Sequence, residues 1–389
     1  MRRALATLLA AVLLGGCSLG DEETSPPPVG SPSGDEGAAQ ELASPSSATR
    51  NTVRVGGADA AADAAGVAGA LFPATGSSDR PTAVVLVDGD DWQSAVAASV
   101  LAGPPIAAPL LLSEGGELPA VTEDTLDRLA PTGSDLSKDA QVIRIGREVA
   151  RPEGFKTAVI PGADPYRRAA AIDRFFSAAR GRPSGDVVLY SGERPEWAMP
   201  AAGWAARSGD AALPVKARSI PAAVAKAIEA HERPNVYLLG SERVIGKEVA
   251  DQLRRRKLAR SVNRIEGPTA VENAIAFARY EKGDFGWGIV VPGYNFAVAS
   301  ASRPADAAAA ASLATRGVFA PLLLTDRSET LPGPLENYLL SVQPGYENDP
   351  GEAVYNRAWI LGDEEAISVR QQAQIDKITE LIPVQANAP

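Results

Sequence analysis

From residue 52 onward, short apolar runs alternate with longer, alanine-rich amphipathic stretches. Runs such as AVVLV at 83–87 are apolar at every position, which fits strands buried on both faces of a parallel sheet. The pattern predicts strands at 52–55, 83–87, 109–112 and 141–145, with helices over 58–71, 94–102 and 121–129 between them. It then begins again, with strands at 157–160, 186–190, 212–215 and 235–239 and helices at 165–179, 198–207, 221–231 and 244–257. A third pass predicts strands at 262–265, 287–291, 320–324 and 358–361 and helices at 269–280, 305–316, 331–340 and 366–381.

The restart has a fixed length. VRVGGAD at 53–59, VIPGAD at 159–164 and NRIEGPT at 263–269 place Gly57, Gly162 and Gly267 105 residues apart. The same offset carries Val55 onto Ile160 and Ile265, and Ala64 onto Ala169 and Ala274. A constant period means a repeated unit. The second-strand glycines Gly89, Gly192 and Gly293 keep it to within a few residues. Three α/β modules follow, at 52–155, 156–260 and 261–385, each a mainly parallel sheet covered by helices.

The segment before them reads differently. Residues 1–17, MRRALATLLAAVLLGGC, hold two arginines, an apolar run too short to span a bilayer and small residues before a cysteine. Leu14-Gly15-Gly16-Cys17 resembles the bacterial lipobox, which implies a signal peptide at 1–16, lipid attachment at Cys17 and a place at the outer face of the membrane. The competing account is an ordinary secretory peptide with an incidental cysteine. Residues 17–51 are rich in Pro, Ser, Gly and acid and read as a disordered tether.

Composition narrows the chemistry. The 389-residue chain is 45% hydrophobic but only 5% aromatic, so its cores are built from Ala, Val, Leu and Ile. A net charge of -10 argues against a general nucleic-acid binder, while leaving room for a local basic groove. One cysteine and one histidine are too few for a structural zinc site or a disulfide. Ser-His-Asp catalysis would have to use His231, which sits in AIEAHERP and reads as a partly exposed helix-end residue without chemical work. Gly56-Gly57 and Gly115-Gly116 do not form phosphate loops. No cofactor is called for.

In order and in triplicate, these stretches resemble the cell wall binding repeat 2 family. The resemblance rests on Arg54-Val55-Gly56-Gly57 and Arg264-Ile265-Glu266-Gly267, on Gly293-Tyr294-Asn295-Phe296 and Gly89-Asp90-Asp91-Trp92, on Pro109-Leu110-Leu111-Leu112 and Pro321-Leu322-Leu323-Leu324, and on Leu238-Leu239-Gly240 and Ile360-Leu361-Gly362. The family's turn aspartate is matched only by Asp306, after an insertion, and the middle copy has Pro214-Val215-Lys216 where an apolar run is usual. The resemblance implies a pseudo-threefold trimer of modules that holds proteins noncovalently to anionic cell-wall polymer, without enzymatic activity. Crevices at the carboxyl ends of the strands, one per module, fit that expectation.

Candidate site residues each have a functional and a plain reading. Arg254, Arg255, Arg256, Lys257, Arg260 and Arg264 form a run of cations suited to phosphate or carboxylate binding, or a solvated last helical turn. Trp92, Trp197 and Phe296 suit stacking on sugar rings, or packing between modules. Asp88, Asp90 and Asp91 suit a divalent cation or acid catalysis, and a solvated turn equally well. Two other function classes remain beside the binding module: a solute-binding or enzymatic α/β lipoprotein using a strand-end crevice, and a scaffold whose repeats no longer bind ligand.

Overall fold

The computed structural model describes residues 47–384; the expected signal peptide, Cys17 and most of the expected tether lie outside them. The first repeat comprises β1 (Ser47–Ala48), β2 (Thr52–Val55), α1 (Ala60–Leu71), β3 (Val84–Asp88), α2 (Trp92–Ala98), β4 (Leu110–Ser113), α3 (Ala120–Leu129) and β5 (Val142–Ile145). The second has β6 (Thr157–Val159), α4 (Pro165–Arg180), β7 (Asp186–Ser191), α5 (Pro195–Ala198), α6 (Pro200–Ser208), β8 (Ala211–Val215), α7 (Ala222–Ala230), β9 (Asn235–Leu239) and α8 (Lys247–Arg255). The third has β10 (Ser261–Ile265), α9 (Ala270–Arg279), β11 (Asn295–Ser300), α10 (Asp306–Leu313), β12 (Leu322–Thr325), α11 (Gly333–Ser341), β13 (Gly345–Tyr346), β14 (Arg357–Leu361), α12 (Val369–Thr379) and β15 (Ile382–Pro383).

Three main sheets share one order: β4-β3-β5-β6, β8-β7-β9-β10 and β12-β11-β14-β2, each parallel throughout. Sheet membership runs one strand ahead of the sequence period. The first strand of the second repeat completes the first sheet, and that of the third completes the second. The third sheet receives β2, from the start of the body, with Val53 beside Trp359 and Val55 beside Leu361. Strand donation is therefore cyclic. β1 adds to β2 antiparallel, so the last residues assigned to the tether belong to this sheet. Asn51 also donates its amide to Asp376 Oδ1 at 2.8 Å on α12.

The capping residues keep the 105-residue spacing: Asp59, Asp164 and Thr269 accept the amides of Ala62, Arg167 and Glu272, opening α1, α4 and α9. Between the sheets, α10 packs against α1 and α6, and the tight turn 99–102 packs against α6 and α10. Most of these helical positions are Ala, Gly, Ser or Val and are buried around the helix, because only small side chains allow helices enclosed on all sides to approach closely. A Cβ on Gly103 would lie 2.2 Å from the carbonyl oxygen of Ala206, so that approach leaves no room for a side chain.

One predicted strand is misplaced. Residues 287–291 are irregular, and the third repeat's second strand is β11 instead. Gly286 and Gly288 take φ of 109° and 62°, which breaks the extended backbone, and Val290 and Val291 stay 61% and 53% exposed. Gly293 is accordingly not the equivalent of Gly89 and Gly192. Those two amides bond to Ser113 O and Val215 O at 2.8 Å, and the amide that does the same in the third repeat, to Thr325 O at 2.8 Å, is that of Ala301.

His231 also departs from expectation, since it is buried at 5% exposure. Its Nδ1 lies 2.8 Å from Ser184 O and its Nε2 3.0 Å from Asp173 Oδ1. Desolvation alone would lower its pKa, but the Asp173 carboxylate and the Ser184 carbonyl, accepting at both ring nitrogens, raise it.

Candidate polymer-binding surface

Helix α8 buries Val249, Ala250 and Leu253 and turns its charged face outward. Its carboxyl end carries Arg254 and Arg255, followed by the cap Arg256 and by Lys257 in a left-handed turn (φ 54°). Cations there complement the helix dipole. Arg254 pairs with Asp251 at 3.5 Å and Arg256 with Glu229 at 3.0 Å. Arg255, Lys257 and Arg260 are exposed and make no ion pair among the described residues. Five of the six cations are thus exposed.

Arg264 does not stand with them. It is half-buried on β10, and its Nη1 donates to Gly240 O at 2.5 Å at the end of β9, the strand paired with β10. Burial lowers its pKa. Arg54, two repeat periods earlier, does the same work more completely: its guanidinium donates to Gly362 O at 2.7 Å, Asp363 O at 2.8 Å, Ile367 O at 2.6 Å and Gln372 Oε1 at 3.0 Å. These arginines fasten a donated strand to the sheet that receives it. The middle repeat has Val159 at this position and lacks the fastening.

The aromatic candidates resolve toward packing. Phe296 lies within β11, fully buried and edge-on to Tyr338 at 6.0 Å, so neither ring face is open to a sugar. Trp197 is 9% exposed, and Trp92, at the first turn of α2, is half-buried against the core. The Asp88 to Asp91 turn is largely internal. Asp88 Oδ2 accepts the amides of Arg147 and Glu148 at 3.2 and 3.0 Å, and Asp91 caps α2. Among the described residues, no three His, Cys, Asp or Glu side chains group as metal ligands.

A further repeated position lies six residues after each repeat glycine, occupied by Asp63, Arg168 and Asn273. All three are buried in the first turns of α1, α4 and α9. Arg168 pairs with Asp91 at 2.5 Å, in the turn after β3, and donates to Ser94 Oγ at 3.0 Å, in the first turn of α2. Asp63 accepts from Gly57 N at 2.8 Å and pairs with Arg303 at 2.6 Å, in the turn after β11. The charges are exchanged between these two junctions. At the third, Asn273 Oδ1 accepts Gly267 N at 3.2 Å, and α9 packs against α5 without an ion pair. The 105-residue period that relates 63, 168 and 273 is the signal by which sequence alone reveals them.

Arg303 also reaches Asp306 at 3.2 Å and Asp363 at 3.7 Å. Asp63 and Asp306 thus share Arg303 in the interior, both carboxyl groups fully buried. Burial, reinforced by Asp306, holds Asp63 well above the usual carboxylate range, and burial pushes Asp306 up to about 6 despite Arg303.

The Arg264 fastening marks the start of a stretch with known relatives. Residues 264–371 match the family model of cell wall binding domain 2 (CWB2). The CWB2 match runs from β10 into the first turn of α12, covering the third repeat. Among solved structures, Cwp6 from Clostridium difficile is similar with a TM-score of 0.65 and 17% identity, over 87% of this chain and 49% of that one. Cwp8 from Clostridium difficile has a TM-score of 0.63 and 20% identity, over 85% of this chain and 52% of that one. The chain thus spans about half the length of either, and at these identities the likeness is one of fold. No curated protein matches the chain.

Proposed function

We propose that this chain is a lipid-anchored protein of the cell envelope that binds anionic cell-wall polymer noncovalently through its repeats, with no catalytic step. The observation that carries the reading is the CWB2 match, found in a chain whose three sheets share one strand order. That common order and the cyclic strand donation also support the pseudo-threefold arrangement implied by the resemblance. On an acidic chain, attraction to an acidic polymer has to come from a local patch. Arg254, Arg255, Arg256, Lys257 and Arg260 supply one; Arg264, tied to Gly240, and the buried Phe296 do not contribute to it. Anchoring through Cys17 rests on the lipobox resemblance.

The test is co-sedimentation of the protein with isolated wall, before and after its acidic polymers are chemically removed. Binding is expected to depend on those polymers and to weaken as salt rises, because exposed charge pairs are screened over about 8 Å at physiological ionic strength. Replacing Arg254, Arg255 and Arg256 with Gln should weaken binding by about tenfold with little change in Tm, since exposed charges contribute at most about 1 kcal/mol each. Binding that ignores polymer removal ends the reading. A Cys17→Ala chain that still fractionates with membranes ends its anchoring part.

A further inference from the structure

At the amino-terminal ends of the second and third sheets, opposite the strand-end turns, lies an open cleft of about 660 Å³. That volume falls within the range of about 300 to 1,000 Å³ typical of small-ligand sites. Its aromatic wall consists of Trp204, Trp287, Tyr294 and Phe319, and its carboxylates include Asp186 and Asp284. Trp204 forms the floor. It is 5% exposed, packs on Phe285 at 4.8 Å, stands edge-on to Trp287 at 5.6 Å, and donates its indole N–H to Asp210 at 2.9 Å. Tyr294 and Phe319 form the rim at 37% and 44% exposure.

Two features separate this wall from incidental surface. Phe319 holds a left-handed backbone (φ 53°), a conformation that disfavours a bulky residue by about 1 to 2 kcal/mol. Its ring gains no core burial in return; Arg207 covers it at 4.5 Å and leaves it open to the cleft. The second feature is the loop 280–294. The second repeat has only 181–185 between the corresponding helix and strand, and the longer third-repeat loop supplies Asp284, Trp287 and Tyr294. This is the stretch that the apolar pattern misread as a strand.

We propose that this cleft binds a neutral pyranose segment of a glycan. Aromatic rings offer flat apolar surface to the C–H face of a sugar. Asp186 and Asp284 offer acceptors for its hydroxyls, and Asn295, on the same wall, adds an amide. The carboxylates outnumber Arg207, so an anionic sugar is disfavoured here and belongs on the basic run instead. The two surfaces adjoin: Asp186 accepts from Asn235 Nδ2 at 3.0 Å, and the other side of Asn235 meets Ser261 at 2.9 Å, next to Arg260. The inference rests on the wall-binding reading for the source of such a glycan.

The experiment is a tryptophan-fluorescence titration of the full chain with tetra-N-acetylchitotetraose, cellotetraose and polygalacturonate. A saturable change with at least one neutral tetramer is expected, weakened at least tenfold by Tyr294→Ala with Phe319→Ala and unaffected by the triple Gln substitution at Arg254, Arg255 and Arg256. The rim side chains are exposed enough for that double variant to fold, and an unchanged Tm confirms that it does. No saturable change with either neutral tetramer, an equal response in the rim variant, or a response to polygalacturonate alone overturns the proposal. Wall co-sedimentation of the unsubstituted chain separates the two readings. Absent tetramer binding with intact wall binding ends only the cleft assignment, and tetramer binding without wall binding ends only the wall reading.

Discussion

Asp63 and Asp306 are two buried carboxyl groups set against a single close arginine, and burial raises both above the usual carboxylate range. Carboxyl groups whose folded pKa lies above the unfolded value bind more protons in the native state. Stability from this pair is therefore present at low pH and lost as pH rises, over a window that for Asp306 runs from 3.8 to about 6. Asp306→Asn keeps the hydrogen-bonding shape without the second titration. It should flatten the fall in stability across that window by an amount on the order of 2 kcal/mol. Denaturant unfolding at pH 4.5 and pH 7 measures this, and an equal loss of stability in parent and variant would refute the raised Asp306 pKa.

At the scale of elements, the junctions between the opening helices and the turns of the preceding repeats hold the repeats in order. Arg168 on α4 and Asp91 before α2 are 4% and 6% exposed, so neither charge has water to fall back on. Removing one partner of such a pair costs about 3 to 5 kcal/mol, because the other remains buried and uncompensated. Arg168→Ala and Asp91→Ala should each fall in that range, and the double variant should lose clearly less than the sum of the two. Additive losses in a thermal-unfolding cycle would show that the two act separately. Exchanging charge between junctions also disfavours mispairing: α4 of the second repeat would bring Arg168 against Arg303 at the turn that receives α1, whereas Asp63 complements it.

For the whole molecule, cyclic strand donation means that no repeat completes its own sheet. The second repeat gives β6 to the first sheet and needs β10 from the third. One continuous core also includes residues from all three repeats, from Val55 to Ile378. The full chain should therefore unfold in a single transition. A fragment spanning 156–260, without β10 and with β6 unpaired, should show no cooperative melt by circular dichroism. A fragment that melts cooperatively on its own would show that the repeats are independent domains.

Much of this was readable in the chain itself. The 105-residue period, the capping positions Asp59, Asp164 and Thr269, and nearly every strand and helix are written locally, because backbone preference and one-sided burial act over a few residues. The exposed basic run from Arg254 to Arg260 was visible for the same reason. Which sheet receives each first strand was not, since β2 pairs with β14 and Arg54 finds Gln372 from 318 residues away. Burial of His231, Arg264 and Phe296 likewise depends on elements remote in sequence. The apolar run at 287–291 has the composition of a strand, yet β11 occupies that place between β12 and β14, and the run became the wall of a cleft. Local pattern sets which segments are helix or strand; only the packed tertiary structure decides which side chains are left facing water.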